Sequence, residues 1–353
     1  MSDLYCGKKV VVGLSGGVDS SVSAHLLKEK GALVTGLFMR NWSEDDECSA
    51  EIDYADVVSI ANTLDIPHYT INFAKQYWNE VFKLCLEQFA RGETPNPDIL
   101  CNREIKFHHF LQKAIELGAD YLATGHYCQR KLIDGKWCLL RGADPNKDQS
   151  YFLYTIQSKQ LERVLFPIGG MNKIDVRAYA KKLSFVTASK KDSTGICFIG
   201  KRNFKEFLSR YLSKKIGPIE TVDGKVIGEH EGAHFYTIGQ RRGIGIGGEG
   251  DAWFVVDKKM ESNTLVIVQG EDHPSLYHRE LKTKQLSWVI GEPKFPLNCT
   301  AKIRYRSSDV PCMVFADGGV VFEEKQKAVT PGQSVVFYDG EICLGGGMIG
   351  ERF

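Results

Sequence analysis

The sequence predicts an α/β fold, a doubly wound parallel sheet, followed by a small mostly-β domain and a C-terminal β-barrel. Three observations predict it. From residue 8 to about 125, short apolar runs such as Val10-Val11-Val12 alternate with segments of helical spacing, the pattern of strands joined by crossover helices. The first apolar run enters the glycine-rich turn Ser15-Gly16-Gly17-Val18-Asp19-Ser20 and continues into a helical stretch. After Gly217-Pro218 the pattern changes to short alternating segments, separated by turns at Asp223-Gly224, Glu261-Ser262-Asn263, Asp317-Gly318 and Asp339-Gly340, which reads as a series of hairpins. Domains are expected at residues 1–212, 213–275 and 276–353.

Taken in order, Lys9–Leu14 reads as a strand, and the helix after the glycine turn runs to about Lys30, ahead of Gly31. Ala32–Phe38 is a second strand, and polar, acidic Asn41–Ala50 is a loop. Glu51–Leu64 is a helix, and His68–Asn72 is a strand after the Ile66-Pro67 break. Lys75–Arg91 is a helix. Pro95 and Pro97 then bar regular helix until after Asp98, because proline disfavours helix at and before its own position. A stiff loop through Cys101 is expected, with a helix over Glu104–Leu117 closed by Gly118. Asp120–Thr124 is a strand, and Lys131–Leu140 is a hairpin turning at Asp134-Gly135. Asn172–Leu183 is a basic helix, Ser193–Gly200 a glycine-bounded stretch, and Asn203–Leu212 an amphipathic helix with Phe204, Phe207, Leu208 and Leu212 on one face.

Composition narrows the class. The chain has 353 residues, 43% hydrophobic and 25% charged, as in ordinary globular proteins. No apolar run approaches the roughly 20 residues that span a bilayer, and Met1-Ser2-Asp3-Leu4-Tyr5 is no signal peptide. A cytoplasmic location and no membrane partner are expected. The ten cysteines are scattered, with no Cys-x-x-Cys pair, so no metal-ligand set is expected. Net charge is +1, but Lys173 to Lys215 holds twelve Lys/Arg against three acids. Such an excess fits a nucleic-acid backbone or a solvated face.

The glycine turn suggests the chemistry. Gly16 and Gly17 allow an anion close to the backbone. The first N–H groups of the following helix are unpaired and lie at the positive end of its dipole. Ser15, Ser20 and Ser21 add hydroxyl donors. This is a cradle for a nucleotide's pyrophosphate, and it is not a Walker A loop, because no Gly-Lys-[Ser/Thr] follows. A plain βα turn with Asp19 or Ser20 as N-cap is the alternative. Ligands of such sheets bind at the carboxyl ends of strands, which brings Ser15–Ser20, Met39-Arg40-Asn41 and Gly125-His126-Tyr127 into one neighbourhood.

The six residues Ser15–Ser20 resemble the PP-loop of the ATP pyrophosphatase superfamily, whose members split ATP between the α- and β-phosphates. Asn96-Pro97-Asp98 three residues before Cys101, then Gly125-His126-Tyr127, Lys147-Asp148-Gln149-Ser150 and Ser193-Thr194-Gly195-Ile196-Cys197 follow in order. Together they resemble the tRNA-specific 2-thiouridylases over essentially the whole chain. The resemblance implies ATP and Mg²⁺ as cofactors, with ATP on Gly13, Leu14, Ser15, Gly16, Gly17, Val18, Asp19, Ser20, Met39 and Gly125. It implies Cys197 as persulfide carrier, Cys101 as the nucleophile that attacks or resolves it, and a Cys101–Cys197 disulfide during turnover. Asp98 would be general acid/base, and Asn96, Pro97 and Asp98 would meet the target base. His126, Lys147, Asp148, Gln149, Arg304, Tyr305 and Gln333 would contact tRNA. The implied partners are a persulfide sulfur donor protein and tRNAs for Glu, Gln and Lys, modified at the wobble uridine. Another PP-loop enzyme that amidates a carbonyl, and a non-catalytic RNA-binding protein, are the rival readings. A labile cluster on Cys101, Cys197 and a third ligand also remains open.

Overall fold

The computed structural model describes residues 5–42, 50–192 and 204–353. It opens with β1 (Lys9–Gly13), α1 (Val18–Glu29), β2 (Leu33–Arg40), α2 (Ala50–Leu64) and β3 (His68–Asn72). A long helix follows: α3 (Ala74–Tyr77) runs through a π-helical stretch, Trp78–Phe82, into α4 (Lys83–Ala90). A second comprises α5 (Pro97–Leu100), the π-helical stretch Cys101–Phe110 and α6 (Leu111–Glu116). Then come β4 (Tyr121–Ala123), the hairpin β5 (Cys128–Ile133) and β6 (Lys136–Arg141), α7 (Ser158–Leu161), β7 (Val164–Leu165) and α8 (Lys173–Lys182).

The first sheet has the order β3-β2-β1-β4-β7, and its four pairings are all parallel. The chain reverses direction across the sheet between β1 and β4, which opens a crevice at their carboxyl ends. Both faces are covered. Val10 and Val12 face a core with Val22, Leu27, Ile60 and Val176, whereas Val11 faces Phe82, Ile105 and Phe110. Each such side chain, fully buried, contributes about 1.5–3 kcal/mol.

The expected loop through Cys101 is helical instead. Pro97 occupies the first position of α5, where a missing N–H costs nothing. Asn96 is the N-cap, and its Oδ1 accepts from Ile99 N at 3.4 Å. Pro97 thus starts the helix rather than delays it, and Cys101 sits on its second turn. The expected helix over Asn203–Leu212 is shorter, as α9 (Phe204–Leu208).

The remaining strands are β8 (Gly217–Thr221), β9 (Val226–His230), β10 (Trp253–Lys259), β11 (Thr264–Gln269), β12 (Tyr277–Trp288), β13 (Leu297–Lys302), β14 (Val310–Val314), β15 (Gly319–Lys327), β16 (Ser334–Asp339) and β17 (Ile342–Arg352). Four form a small sheet, β10-β11-β8-β9. Strands β12 to β17 close into a six-stranded barrel through the β12–β17 pairing. The hairpin β5–β6 extends that barrel's sheet, with Ile342 opposite Leu140 and Cys343 opposite Leu139. One apolar cluster runs from Val11 and Phe82 through Ile219 and Val255 to Val336 and Cys343. Among the described residues no helix is long and apolar enough to cross a membrane.

Candidate active site

The cradle forms at the carboxyl end of β1. Gly17 is the N-cap of α1, with no side-chain cap, so neither Asp19 nor Ser20, the expected candidates, is the N-cap. The serines brace the loop from inside: Ser15 N donates to Ser20 Oγ at 3.2 Å, and Ser20 Oγ and Ser21 Oγ donate to Gly17 O at 3.1 and 2.9 Å. Gly16 has φ +70°, and a Cβ there would lie 2.4 Å from the Asp53 carbonyl oxygen. Gly13 and Leu14 form the hinge, where Leu14 N donates to Leu37 O at 3.0 Å. Val18 is buried at the start of α1. Met39 stands near the end of β2, beside β1. Gly125 packs on the loop itself, since a Cβ on it would be 2.8 Å from Ser20 N.

Asp19, in the first turn of α1, has partners from two other segments. Lys173 Nζ donates to both its carboxylate oxygens, at 2.8 and 2.7 Å, and the Tyr127 hydroxyl donates to Oδ1 at 2.7 Å. Lys173 also lies 2.8 Å from Asp192, which pairs with Lys147 at 2.5 Å and Arg177 at 2.6 Å. Burial opposes the Asp192 charge, but the hydrogen bonds from Lys147 and Lys173 outweigh it and hold the carboxyl well below the usual range.

The second half of the site is the π-helical stretch that starts at Cys101. Lys106 stands five residues on, about one π turn, and its Nζ lies 3.5 Å from His126 Nε2. His126 is buried, with Nδ1 2.8 Å from Thr124 Oγ1, and burial first and Lys106 second keep it neutral. Gly125 thus touches the cradle while the next residue touches Lys106, which links the cradle to the cysteine helix. Asp98 is exposed to solvent yet crowded by surrounding protein. That crowding raises its carboxyl above the ordinary range, with Lys106 pulling down. Cys101 is buried, and burial raises its thiol; Lys106 lowers it and Asp98 raises it. In this state Cys101 is a thiol at neutral pH, not a thiolate. Iodoacetamide at pH 7.5 is therefore expected to alkylate Cys101 at least about tenfold more slowly than exposed Cys6. Peptide mass spectrometry over time checks this, and equal rates would refute it.

The other expected contacts fall into two groups. The 147–149 segment organises its neighbours. Buried Asp148 accepts from Gly142 N and Ser150 N at 3.0 Å each, and Gln149 Oε1 accepts from Tyr127 N at 2.9 Å. From the barrel, Gln333 Nε2 donates to Thr94 O at 2.8 Å, just ahead of Asn96. Tyr305 lies against Phe152, with ring centroids 4.4 Å apart. The Arg304 guanidinium is committed to Ile238 O, Ala328 O and Thr330 Oγ1 at 2.9–3.1 Å. Cys197 lies outside the described residues, as does the rest of 193–203.

Sequence reasoning passed over Lys106, Lys173 and Asp192, and placed Tyr127 beside the cradle without giving it a role. Only an i,i+5 reading of the helix after Cys101 would have singled out Lys106. Lys173 was hidden in a basic run that fitted either a nucleic-acid backbone or a solvated face, and several of its other cations are paired within the protein: Lys190 with Asp53 and Asp56, and Lys205 and Lys214 with Glu231. Among the described residues, the side chains that converge as a metal-ligand trio are Glu80, His108 and His109, not cysteines.

A parallel sheet with an uncapped serine–glycine loop at its switch point fits a nucleotide-binding α/β protein of the PP-loop class. Residues 8–201 match the family model described as tRNA methyl transferase HUP domain, 205–269 the tRNA methyl transferase PRC-barrel domain, and 278–349 the aminomethyltransferase beta-barrel domain. The tRNA-specific 2-thiouridylase MnmA of Aeromonas salmonicida is 57% identical over 358 residues, covering 98% of this chain and 97% of that protein. That of Halalkalibacterium halodurans is 54% identical over 349 residues, covering 97% and 94%. The chain belongs to the tRNA-specific 2-thiouridylase family. Solved structures are more distant. The U34-tRNA thiolase NcsA from Methanococcus maripaludis with its [4Fe-4S] cluster is 17% identical, with TM-score 0.38 over 60% of this chain and 66% of that one. A likeness that slight carries no residue roles.

Proposed function

We propose that the chain is an ATP-dependent tRNA uridine 2-sulfurtransferase. It adenylates the C2 oxygen of the wobble uridine and replaces that oxygen with sulfur from a cysteine persulfide, giving 2-thiouridine, AMP and pyrophosphate. The observation that carries this reading is the junction described above: an uncapped phosphate cradle joined through Gly125, His126 and Lys106 to a helix presenting Asp98 and Cys101.

The C2 carbonyl is a poor electrophile and its oxygen a poor leaving group. Attack of that oxygen on the α-phosphorus of ATP expels pyrophosphate and leaves AMP on C2. The cradle N–H groups and the exposed Ser15 hydroxyl bind the phosphates, whereas the Ser20 and Ser21 hydroxyls, expected as further donors, are buried and spent on Gly17 O; Met39 and Gly125 flank the nucleoside. Mg²⁺ would neutralise phosphate charge; the hard oxygen donors at the loop, the Asp19 carboxylate and the serine hydroxyls, suit it. The terminal sulfur of a Cys197 persulfide then attacks C2 and AMP leaves. Cys101, once deprotonated, attacks the inner sulfur. The S–S bond breaks, its electrons pass to the sulfur on C2, and a Cys101–Cys197 disulfide forms. A thiol reductant resets the pair, and a persulfide donor protein reloads Cys197. Asp98 moves the protons, at the uridine N3 or at Cys101. The target base is held by Asn96, Pro97 and Asp98. His126, Lys147, Asp148, Gln149, Arg304, Tyr305 and Gln333 serve the tRNA interface directly or by fixing the segments that reach it, and the acceptors are tRNAs for Glu, Gln and Lys. Amidation or methyl transfer at the same loop would leave Cys101 without a task.

The test is product analysis with tRNA, ATP and a persulfide source. AMP and pyrophosphate in equal amounts are expected, with one sulfur added to the anticodon uridine by nucleoside mass spectrometry. ADP and phosphate as main products would overturn the reading.

A further inference from the structure

A triphosphate brings three to four negative charges, yet no residue from Gly13 to Ser21 is basic and Asp19 is acidic. Helix N–H groups and hydroxyls supply dipoles worth about half a charge. A Walker loop solves the same problem with its own lysine, which is missing here. Mg²⁺ would offset about two of those charges, and the protein's own share has to come from another part of the chain.

Lys173, the first residue of α8, meets that need. Its backbone N donates to Asp144 Oδ2 at 3.0 Å, which fixes the start of the helix. Its side chain is 10% exposed and bridges Asp19 and Asp192, with Nζ within 2.8 Å of each. Lys147 and Arg177 reach the same Asp192 carboxylate. Three cations therefore converge beside the cradle on Asp19 and Asp192, with buried Asp144 at the start of α8 as the third acid of the cluster. A helix-packing role would not require a buried ammonium shared between two acids on separate segments.

We propose that Lys173 is the phosphate-binding cation of this enzyme. On ATP binding its ammonium exchanges aspartate oxygens for oxygens of the β- and γ-phosphates, with Lys147 and Arg177 as the supporting charges. The lysine comes from 154 residues beyond Asp19, so the cradle is completed by tertiary structure rather than by its own motif. This rests on the proposed binding of ATP at the loop.

The experiment is calorimetric titration of the full chain with ATP, pyrophosphate and AMP, using wild type, K173M, K173R and D192N. K173M is expected to weaken ATP and pyrophosphate at least tenfold and to change AMP less than twofold, because AMP lacks the phosphates concerned. K173R should restore ATP to within about threefold of wild type. D192N keeps Lys173 and removes a competing carboxylate, so it should tighten ATP severalfold and leave AMP unchanged; it also decides the matter if K173M does not fold. Equal losses for ATP and AMP in K173M would make Lys173 a scaffold for Asp19 and overturn the proposal. Unaltered ATP binding in K173M, or in D192N, would overturn it as well. Wild type that binds ATP no better than AMP would overturn both this proposal and the use of ATP, whereas a wild-type preference that survives in K173M overturns this proposal alone.

Discussion

Cys197→Ser is expected to reduce 2-thiouridine formation by at least about 10³-fold, the scale on which loss of a covalent nucleophile acts, while tRNA-dependent release of AMP continues in part. Adenylation needs only ATP, the cradle and the target base, so the first step survives loss of the second. Cys101→Ser should also stop turnover, but a persulfide on Cys197 should remain detectable, because loading precedes its resolution. Serine keeps the size of the buried Cys101 side chain on its helix, so the fold is preserved. Intact-protein mass spectrometry for the added sulfur, run beside the thiouridine assay, separates the two variants. Serine at the other eight cysteines should leave thiolation largely unchanged. Thiolation without Cys197, or a persulfide found only elsewhere, would refute the assignment.

Asp98→Asn is expected to slow thiolation by about 10²–10⁴-fold, the usual worth of a general acid/base, with tRNA affinity near normal. The protein around Asp98 raises its carboxyl and Lys106 only partly offsets this. As a base, Asp98 works only when ionised, and its raised value moves the acid limb of the wild-type pH–rate profile above that of an ordinary aspartate. Asp98→Asn removes that limb. The same change removes a negative charge that raises the Cys101 thiol, so alkylation of Cys101 should become faster while catalysis becomes slower. A residue that merely favoured the start of α5 would give neither effect; its loss would cost about 0.3–1 kcal/mol of helix stability. Full thiolation activity in Asp98→Asn would reduce it to that role.

Much of the fold was legible because it is written in local patterns. His68–Asn72 was bounded correctly by the Pro67 break, and every hairpin expected from an Asp-Gly or Ser-Asn turn formed. The helix at Pro97 was misjudged because proline was weighed as a barrier, while at a first helical position with Asn96 as cap it is an initiator. The basic run from Lys173 was ambiguous because sequence gives charge but not partner. Asp192 is near it in the chain, but Asp19 is not, and only the fold shows that both take Lys173. Arg304 reads as a cation for RNA, yet it is spent on two carbonyls and a hydroxyl. Of the site, the cradle, Asp98 and Cys101 were readable as motifs; Lys106 was not, because its relation to Cys101 depends on a π-helical period.

The hairpin β5–β6 has a consequence for biosynthesis. It is made early, but its outer partner is the last strand of the chain, and Arg141 Nε reaches Gly340 O across 199 residues. At about 5–20 residues per second, the ribosome needs roughly 10–40 s to supply that partner. During this time β6 presents an open edge, with its neighbouring core face uncovered. The nascent protein cannot finish its catalytic half first and add the barrel as an accessory. Strand β17 closes the edge that β6 leaves open, so a ribosome that stalls before β17 leaves an exposed strand rather than a working enzyme without its barrel.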